Sequence, residues 1–428
     1  MSSYCLRCIH RKASAPPDIL CVVPTRPGDA ELDEFLTRGM AEVIVREDLA
    51  ASLRAGDRQL RIKQGFDPTH PNLHLGHAVP LRKLRKLAQW GHEIVLIVGD
   101  WTTQIGDPTD KDESRPMISH EKVLRNAETY LEQFHLIVPR EGTRVVNQSE
   151  WFGKFGLRDV IELASRFTAQ QMLAREEFRK RLEKKTPIPI KDLLYPLLQA
   201  YDSVAIESDV EVGGTDQLFN ILAGRELQEQ LRQRPQNLLI NQMLEGLDGL
   251  QMSKSKPKTA IWLTDPPHEI YGKVMSIEDK LMPHYFEWAT EMPRKEVNKI
   301  LGAIGNRELH PKEAKEKLAW QITSELHSPA AADDAKVAFG KQFKEGEQPE
   351  EMATAEVEKD GQSELNIVDV LRLSKPPLAT SRSDALRMVK QGGVSVDGSK
   401  ASLETMVPTT TEPVIKFGKR LYARIRWR

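Results

Sequence analysis

Residues 62–77 read Ile-Lys-Gln-Gly-Phe-Asp-Pro-Thr-His-Pro-Asn-Leu-His-Leu-Gly-His, and this stretch decides the fold. It predicts a buried strand, an irregular turn and a helix that begins near Gly76, because glycine, aspartate and proline interrupt regular structure. His74 and His77 are three residues apart, so a first helical turn places both imidazoles on one face. Gly76 lets a planar ligand approach the backbone, and a helix N-terminus favours a phosphate. The stretch predicts a nucleotide-phosphate site, although histidines that only cap a helix explain the tetrapeptide alone equally well.

The residues that follow predict a βαβ unit. Three leucines recur on one helical stripe between residues 81 and 87, and a glycine then ends the helix. Residues 93–99 form a continuous apolar run, as in a strand that is buried on both faces of a parallel sheet. We therefore predict an α/β protein with a Rossmann-like, doubly wound parallel sheet. Its ligands would bind beyond the carboxyl ends of the strands, where the turns at 65–77 and 99–107 would lie.

Further helices are predicted where apolar residues recur at helical spacing, over residues 31–56, 119–136 and 157–184. Another helix carries Tyr195, Gln199 and Asp202, whose spacing of four and three residues places three polar groups on one face. Leucines occupy the rest of that helix. Buried polar groups are costly unless a ligand or partner satisfies them, so this face is a candidate binding surface. An exposed polar stripe is the alternative interpretation.

Three polar loops complete the candidate site. Asp107 lies close to the end of the first predicted strand, and Lys111 and Arg115 follow on a loop where they could neutralise phosphates. The second loop is Gly213-Gly-Thr-Asp216-Gln217, in which paired glycines admit a close approach and the aspartate can accept hydrogen bonds from a ribose. The third loop, residues 249–258, carries three lysines among small hydroxylic residues and is suited to closing over a triphosphate.

The length of 428 residues predicts two or three domains. We predict an N-terminal extension with poor order over residues 1–30, a catalytic domain over 31–264 and a helical domain over 265–341. A charged, turn-rich linker would follow over 342–362. The last domain, 363–428, contains 12 Lys and Arg residues against 6 Asp and Glu, whereas the whole chain has a net charge of −1. A basic terminal domain on a nearly neutral chain indicates a polyanionic partner.

The composition also bears on location. No run of 18 apolar residues exists, so no membrane span is predicted. The three cysteines, Cys5, Cys8 and Cys21, are too few for a disulfide framework, and we expect a reducing compartment, the cytoplasm. Basic residues near the start leave a short organellar presequence open, and an over-long start is the simpler interpretation. Zinc binding by the three cysteines with His10 is a further alternative.

Taken together, these motifs resemble the class I aminoacyl-tRNA synthetases, and the bacterial-type tyrosyl-tRNA synthetases in particular. The resemblance covers roughly residues 32–425 and rests on the order and spacing of five motifs. They are His74-Leu-Gly-His77, the Gly-Asp-Pro turn that contains Asp107, Tyr195-x-x-x-Gln199-x-x-Asp202, Gly-Gly-Thr-Asp216-Gln217 and Met252-Ser-Lys-Ser255. The segment from Ser381 to Val394 resembles an S4 RNA-binding module, in which Arg382, Arg387 and Lys390 would contact RNA phosphates.

The resemblance implies a two-step reaction and a role for each motif. The carboxylate of L-tyrosine attacks the α-phosphate of ATP, supplied with Mg²⁺, and the 3′ end of tRNA(Tyr) then takes the tyrosyl group. His74, His77 and Lys254 would be catalytic, and a homodimer without membrane association is implied. The implied ATP-binding residues are Thr69, Gly76, His77, Gly214, Asp216, Met252, Ser253, Lys254 and Ser255. The implied tyrosine-binding residues are Asp107, Tyr195, Gln199, Asp202 and Gln217, with Asp202 as the acceptor for the phenol hydroxyl. No protein-bound metal is implied.

This sequence departs from the family pattern at two positions. Lys63 occupies a place where many members carry a tyrosine that also touches the phenol hydroxyl. Gln251 replaces the first lysine of the usual Lys-Met-Ser-Lys-Ser, and Lys256 is the residue that could take over its phosphate contact. Three other functions remain open: a tryptophanyl synthetase, which shares the fold; a paralogue that binds RNA without charging it; and a nucleotidyltransferase that does not act on tRNA.

Overall fold

The computed structural model describes residues 25–108, 118–254, 257–344, 352–359, 361–418 and 421–428. Contacts divide the chain into two compact units, Met1–Ala332 and Asp333–Arg428. Several predictions fall outside the described residues: the cysteines and most of the extension at 1–30, the phosphate contacts of Lys111 and Arg115, and those of Ser255 and Lys256. The boundary predicted between residues 264 and 265 stays a prediction.

A six-stranded sheet forms the centre of the first unit. Its strands are β1 (Met40–Ile44), β2 (Arg61–Phe66), β3 (Glu93–Val98), β4 (Thr143–Asn147), β5 (Val210–Gly214) and β6 (Asn237–Asn241). Their spatial order is β1-β6-β5-β2-β3-β4, and every pair is parallel except the antiparallel pair β1–β6. The order therefore reverses between β2 and β5, where a doubly wound sheet places its ligand. The predicted fold class is confirmed.

Sixteen helices are described between residues 29 and 344. They are α1 (Asp29–Thr37), α2 (Arg46–Ala55), α3 (Leu75–Gln89), α4 (Thr102–Ile105), α5 (His120–Phe134), α6 (Ser149–Phe152), α7 (Leu157–Ser165), α8 (Ala169–Leu173), α9 (Glu176–Glu183), α10 (Ile190–Ala205), α11 (Leu218–Gln230), α12 (Pro267–Met275), α13 (Met282–Trp288), α14 (Arg294–Gly305), α15 (Pro311–Leu326) and α16 (Pro329–Lys344). The unit β2-α3-β3 is the βαβ unit that the sequence predicts. In β3 the residues from Ile94 to Val98 are all buried, as the continuous apolar run requires.

The helix predicted over residues 31–56 is wrong at its centre. The structure has α1, the short strand β1 and α2 in this range. Gly39 adopts a positive φ of 65°, which ends α1, and Val43 and Ile44 of β1 pair with Leu239 and Leu238 of β6. Pairing with a strand that lies about two hundred residues further along the chain decides the conformation here. The range 157–184, predicted to be helical, is divided among α7, α8 and α9.

The second unit is an α+β module. Its elements are β7 (Ala353–Val357), β8 (Glu364–Asn366), α17 (Ile367–Leu373), α18 (Arg382–Lys390), β9 (Val394–Val396), β10 (Ser399–Lys400), β11 (Met406–Pro408), β12 (Val414–Phe417) and β13 (Leu421–Trp427). Five strands form a sheet in the order β10-β9-β12-β13-β7, and β11 pairs with β8. The strands β12 and β13 pair in antiparallel register.

Strand β7 lies inside the range that we interpreted as a linker. It pairs in parallel with β13, and Ala355 and Val357 belong to the hydrophobic core of the second unit. This strand could not be predicted from the charged composition of residues 342–362, because only two of its side chains face the core. Among the described residues, no helix is both long enough and apolar enough to cross a bilayer.

Candidate active site

A cavity of about 370 Å³ lies in the first unit at the carboxyl ends of β2, β3, β5 and β6. It is lined by every predicted nucleotide-binding, tyrosine-binding and catalytic residue that the structure describes. They are Thr69, His74, Gly76, His77, Asp107, Tyr195, Gln199, Asp202, Gly214, Asp216, Gln217, Met252, Ser253 and Lys254. Five motifs that are far apart in the sequence therefore meet in one place.

The two histidines form a tight turn at the start of α3. The backbone N–H of His77 donates to the carbonyl of His74 at 2.8 Å, and the backbone N–H of His74 donates to His77 Nδ1 at 3.2 Å. The imidazole centroids are 3.9 Å apart. Because Nδ1 of His77 accepts a hydrogen bond, its neutral ring carries the proton on Nε2. His77 is therefore prepared to act as a hydrogen-bond donor.

Both imidazoles are held in the neutral form. Burial lowers the pKa of His74 to about 3, and the Lys254 cation acts in the same direction. Burial, His74 and Lys254 together lower the pKa of His77 well below its ordinary value. Neutral rings donate hydrogen bonds without taking up a proton between pH 5 and 8, so they suit the stabilisation of charge that develops on a phosphate.

The segment after the lysine loop is tied to this histidine turn. The backbone N–H of Leu75 donates to the carbonyl of Ile261 at 2.7 Å, and that of Leu263 donates to the carbonyl of Leu73 at 2.9 Å. These bonds bracket a short antiparallel bridge at His74. The histidine turn and the segment that follows the lysine loop are therefore held together by backbone hydrogen bonds.

Lys254 lines the same cavity as the two histidines. Its Nζ lies 5.2 Å from the ring centroid of Tyr130, which stacks on Phe66 of β2 at a centroid distance of 3.6 Å. Met252 is buried and its backbone N–H donates to the carbonyl of Leu244, which fixes the base of the loop. Gln251, the departure from the family pattern, also lines the cavity. The loop thus presents one described lysine toward the histidines.

A carboxylate that the sequence analysis did not select, Asp67, also lines the cavity. Asp67 accepts a hydrogen bond from the hydroxyl of Tyr195 at 3.0 Å and another from the hydroxyl of Thr102 at 2.7 Å. Burial raises the pKa of Asp67 to about 6, Asp107 adds to this, and the two hydroxyl groups oppose it. Asp67 follows β2 directly, so it connects the carboxyl end of β2 to α10 and to α4.

A second set of polar contacts joins the β3 and β5 turns. Gln217 Nε2 donates to Asp107 Oδ2 at 2.9 Å and to Asp216 Oδ2 at 3.3 Å. Asn220 Nδ2 in turn donates to Gln217 Oε1 at 3.0 Å. These contacts hold two carboxylates at the rim of the cavity, where the amino group of an amino acid and a ribose would both find acceptors.

The floor of the cavity is a buried polar network around Asp202. Asp202 Oδ2 accepts a hydrogen bond from Gln148 Nε2 at 2.8 Å. Lys63 Nζ pairs with Glu211 Oε1 at 2.9 Å, and both side chains are almost fully buried. Burial raises the pKa of Asp202 to about 7, whereas Lys63 and Gln148 lower it. Gln148 and Glu211 carry no motif in the sequence, and only the alternation of β5 could have placed Glu211 in the sheet.

The residues predicted to contact RNA lie in the second unit. Arg382, Arg387 and Lys390 are exposed on α18. Arg382 pairs with Asp369 at 2.9 Å, and Arg387 pairs with Asp384 at 2.6 Å. Both ion pairs are at the surface, where such pairs are weak, so a polyanion could replace the carboxylates.

The fold and the cavity together define a class I aminoacyl-tRNA synthetase. The model of the family "tRNA synthetases class I (W and Y)" matches residues 55–344. The tyrosine–tRNA ligase of Dehalococcoides mccartyi strain CBDB1 is 46% identical over 92% of this chain and 98% of its own length. That of Thermotoga maritima is 43% identical over 92% of this chain and 96% of its own length. The chain belongs to the tyrosine–tRNA ligase family.

Solved structures agree in fold. The C-terminally truncated mitochondrial tyrosyl-tRNA synthetase of Aspergillus nidulans superimposes with a TM-score of 0.60 at 22% identity, covering 73% of this chain and 94% of that one. The tyrosyl-tRNA synthetase of Archaeoglobus fulgidus in complex with L-tyrosine gives a TM-score of 0.57 at 23% identity, covering 72% and 99%.

Proposed function

We propose that this protein is a tyrosine–tRNA ligase that forms tyrosyl-adenylate and pyrophosphate from L-tyrosine and ATP and then transfers tyrosine to the 3′ end of tRNA(Tyr). The observation that carries this proposal is the meeting of neutral His74 and His77, Lys254 and the Asp202 floor in one cavity. The family assignment supports it independently.

In the first step the ATP phosphates lie along the histidine turn. His74, His77 and Thr69 donate to the α-phosphate side, and Lys254 binds the departing pyrophosphate. Gly76 and Gly214 line the nucleotide side of the cavity, where their missing Cβ atoms let His74 and Asp216 pack closely. Asp216 holds the ribose, Met252 and Ser253 lie beside the triphosphate, and Ser255 is proposed to bind ATP with them. The enzyme forms no covalent intermediate, so the rate derives from positioning and charge stabilisation.

The amino acid extends from the rim of the cavity to its floor. Asp107, Tyr195 and Gln199 hold its amino group near the rim, Gln217 also binds it, and Asp202 accepts the hydrogen bond of the phenol hydroxyl at the floor. A pocket that is built to bind a hydroxyl rejects the analogue that lacks it, and tyrosyl-tRNA synthetases are themselves the standard illustration of this rule. Phenylalanine is therefore excluded by an unpaired buried acceptor rather than by size.

Several finer features belong to the same proposal. Mg²⁺ enters bound to the phosphate oxygens of ATP, its usual ligands. The exposed cations of the second unit, Arg382, Arg387 and Lys390, contact the tRNA backbone. The enzyme works in the cytoplasm, in keeping with its three cysteines.

We also propose a homodimer. Leu157 and Ile161 lie one turn apart on α7 and are 76% and 60% exposed, as expected of an apolar surface that a second copy covers. Replacing both by aspartate should convert the dimer to a monomer in light scattering. Leu231→Asp, at an exposed apolar residue that follows α11, is the control that should leave the dimer intact.

The decisive experiment is ATP–pyrophosphate exchange with tyrosine, tryptophan and phenylalanine in parallel. We expect exchange with tyrosine and little with the other two. Exchange driven by tryptophan would reassign the enzyme to the tryptophan branch, and no exchange with any amino acid would refute the proposed activity.

A further inference from the structure

Lys63 makes three contacts beneath the amino acid end of the cavity. It lies on β2, and its side chain is 0% exposed. Its Nζ pairs with Glu211 Oε1 at 2.9 Å and donates to Ser203 Oγ at 2.8 Å and to the carbonyl of Gln199 at 3.1 Å. Gln199 and Ser203 flank Asp202 on α10, so one buried cation holds this helix on both sides of Asp202.

The carboxyl group of Asp202, which these contacts flank, has only part of its hydrogen-bonding capacity filled by the described residues. Its side chain is 2% exposed. Gln148 occupies Oδ2. Neither Oδ1 nor the indole N–H of Trp151, whose side chain also lowers the pKa of Asp202, has a hydrogen-bond partner among the described residues. A buried acceptor without a partner is costly in an empty pocket and is satisfied when a ligand donates to it.

The charges around Asp202 decide whether it is a carboxylate. Burial favours its neutral form and raises its pKa, and Glu211 acts in the same direction. Among the residues that the structure describes, the Lys63 cation opposes them, together with the amide of Gln148 and the indole of Trp151. Removing the cation would leave Asp202 protonated over a wider pH range and a weaker acceptor for a phenol hydroxyl.

We propose that Lys63 is a positioning residue for amino acid recognition, which fixes α10 around Asp202 and so holds the carboxyl group of Asp202 in place for the phenol of the substrate. This inference rests on the proposed function. Lys63 does not touch the substrate; it acts through Asp202, and Glu211 is the counterion that makes its burial tolerable.

The test must separate this role from a purely structural ion pair. Replacing Lys63 alone would strand the buried charge of Glu211 and destabilise the fold whatever the role. Glu211 Oε2 accepts hydrogen bonds from Ser203 Oγ and from Gln236 Nε2. The informative variant is Lys63→Met combined with Glu211→Gln, because it removes both charges and leaves an amide oxygen that can still accept these two bonds. A matched control is Arg181→Met combined with Asp192→Asn, which removes another buried ion pair, with a 2.7 Å contact, that does not line the cavity.

We expect the Lys63/Glu211 double variant to raise KM for tyrosine about tenfold, as when a hydrogen bond to a charged acceptor is weakened. KM for ATP should change less than about twofold, and the preference for tyrosine over phenylalanine should fall. The Arg181/Asp192 control should leave both KM values and the preference for tyrosine over phenylalanine unchanged.

A folded Lys63/Glu211 variant with wild-type KM for tyrosine and wild-type preference would overturn the inference, as would an equal rise in KM in the control. Should the double variant not fold, Ser203→Ala decides. It removes one ligand of Lys63 and leaves both charges, and an unchanged KM for tyrosine would count against the role. Failure of the wild-type enzyme to exchange with tyrosine would instead refute the proposed function itself.

Discussion

His77 is a donor because its own backbone surroundings leave it one proton in a fixed place. Nδ1 accepts from the N–H of His74, so Nε2–H points away from the turn. Replacing His77 by alanine removes a preorganised donor, and we expect tyrosine-dependent exchange to fall on the order of 10²–10³-fold. The measurement is the rate of ATP–pyrophosphate exchange at saturating substrates.

The control for His77→Ala is His268→Ala, at an exposed histidine of α12 outside the cavity. It should retain full exchange, and both variants should keep the circular dichroism of the wild type. Equal exchange by His77→Ala and the wild type would remove His77 from the mechanism.

The depressed pKa of His74 makes stability depend on pH. The unfolded chain protonates this residue near its ordinary value of 6.5, whereas the folded chain resists until about pH 3. Between these values the unfolded state binds more protons, so stability is complete above pH 6.5 and is lost as the pH falls. The slope is at most about 1.4 kcal/mol per pH unit for one proton.

His74→Gln should remove this contribution. We expect the thermal unfolding midpoint of the variant to fall less steeply than that of the wild type between pH 6.5 and 4.5, with His268→Gln as the control that follows the wild type. Parallel curves for His74→Gln and the wild type would show that His74 does not resist protonation in the folded state.

The residues that sequence reasoning found are those whose spacing is local. The histidines are three residues apart, and Tyr195, Gln199 and Asp202 share one helical face, so periodicity alone groups them. Asp67, Gln148 and Glu211 escape this logic. Each acts through a partner that is distant in sequence, such as Gln148 with Asp202, and no local pattern encodes such a contact.

At the scale of the element, the backbone at the start of α3 packs closely against the ring of His74. A Cβ at Gly76 would lie 3.0 Å from His74 Nδ1 and 3.1 Å from Cε1, so the ring would have to move. We expect Gly76→Ala to lower exchange only severalfold, because the ring must give by a few tenths of an ångström and a full 1 Å displacement of a catalytic group costs about 10²-fold. Exchange kinetics with varied ATP will show it.

Gly272→Ala in α12 is the matched control, because a Cβ there meets nothing within 4 Å. It should keep full activity and stabilise the protein by up to about 1 kcal/mol, since alanine is the better helix residue. Full activity in Gly76→Ala would mean that the turn accommodates the methyl group without moving His74.

Helices and strands could be predicted from the sequence where the residue pattern of the segment alone determines its conformation. The strand β3 is buried on both faces and reads as one apolar run, and α5 (His120–Phe134) covers most of residues 119–136, which were predicted to be helical. The strands β1 and β7 were not predicted. Each lies at the edge of its sheet and pairs with one neighbour, β6 for β1 and β13 for β7, and each contains polar residues.

At the scale of the whole molecule, the candidate active site and the exposed cations of α18 belong to different units. The cavity is built entirely from the first unit, and Arg382, Arg387 and Lys390 lie in the second. Because β7 pairs with β13, a truncation should end after Lys344 rather than at residue 362. We expect the truncated enzyme to retain tyrosine-dependent exchange while its KM for tRNA rises about tenfold or more.

The salt dependence of charging gives an independent measurement. Each lost phosphate contact lowers the slope of log affinity against log salt by about one, so the truncated enzyme should bind tRNA with a shallower slope. Alanine at Arg382, Arg387 and Lys390 should reproduce part of this change in the full chain. Unchanged charging after truncation would exclude the second unit as a tRNA contact.

The ion pair between Lys63 and Glu211 also has a consequence for descent. Neither partner can be exchanged alone without leaving a charge in the interior, so an ancestor with an aromatic residue at position 63 must have passed through a paired replacement. Lineages should therefore inherit the two residues as a unit, and a survey of homologous genes should find a lysine at the first position accompanied by an acid at the second.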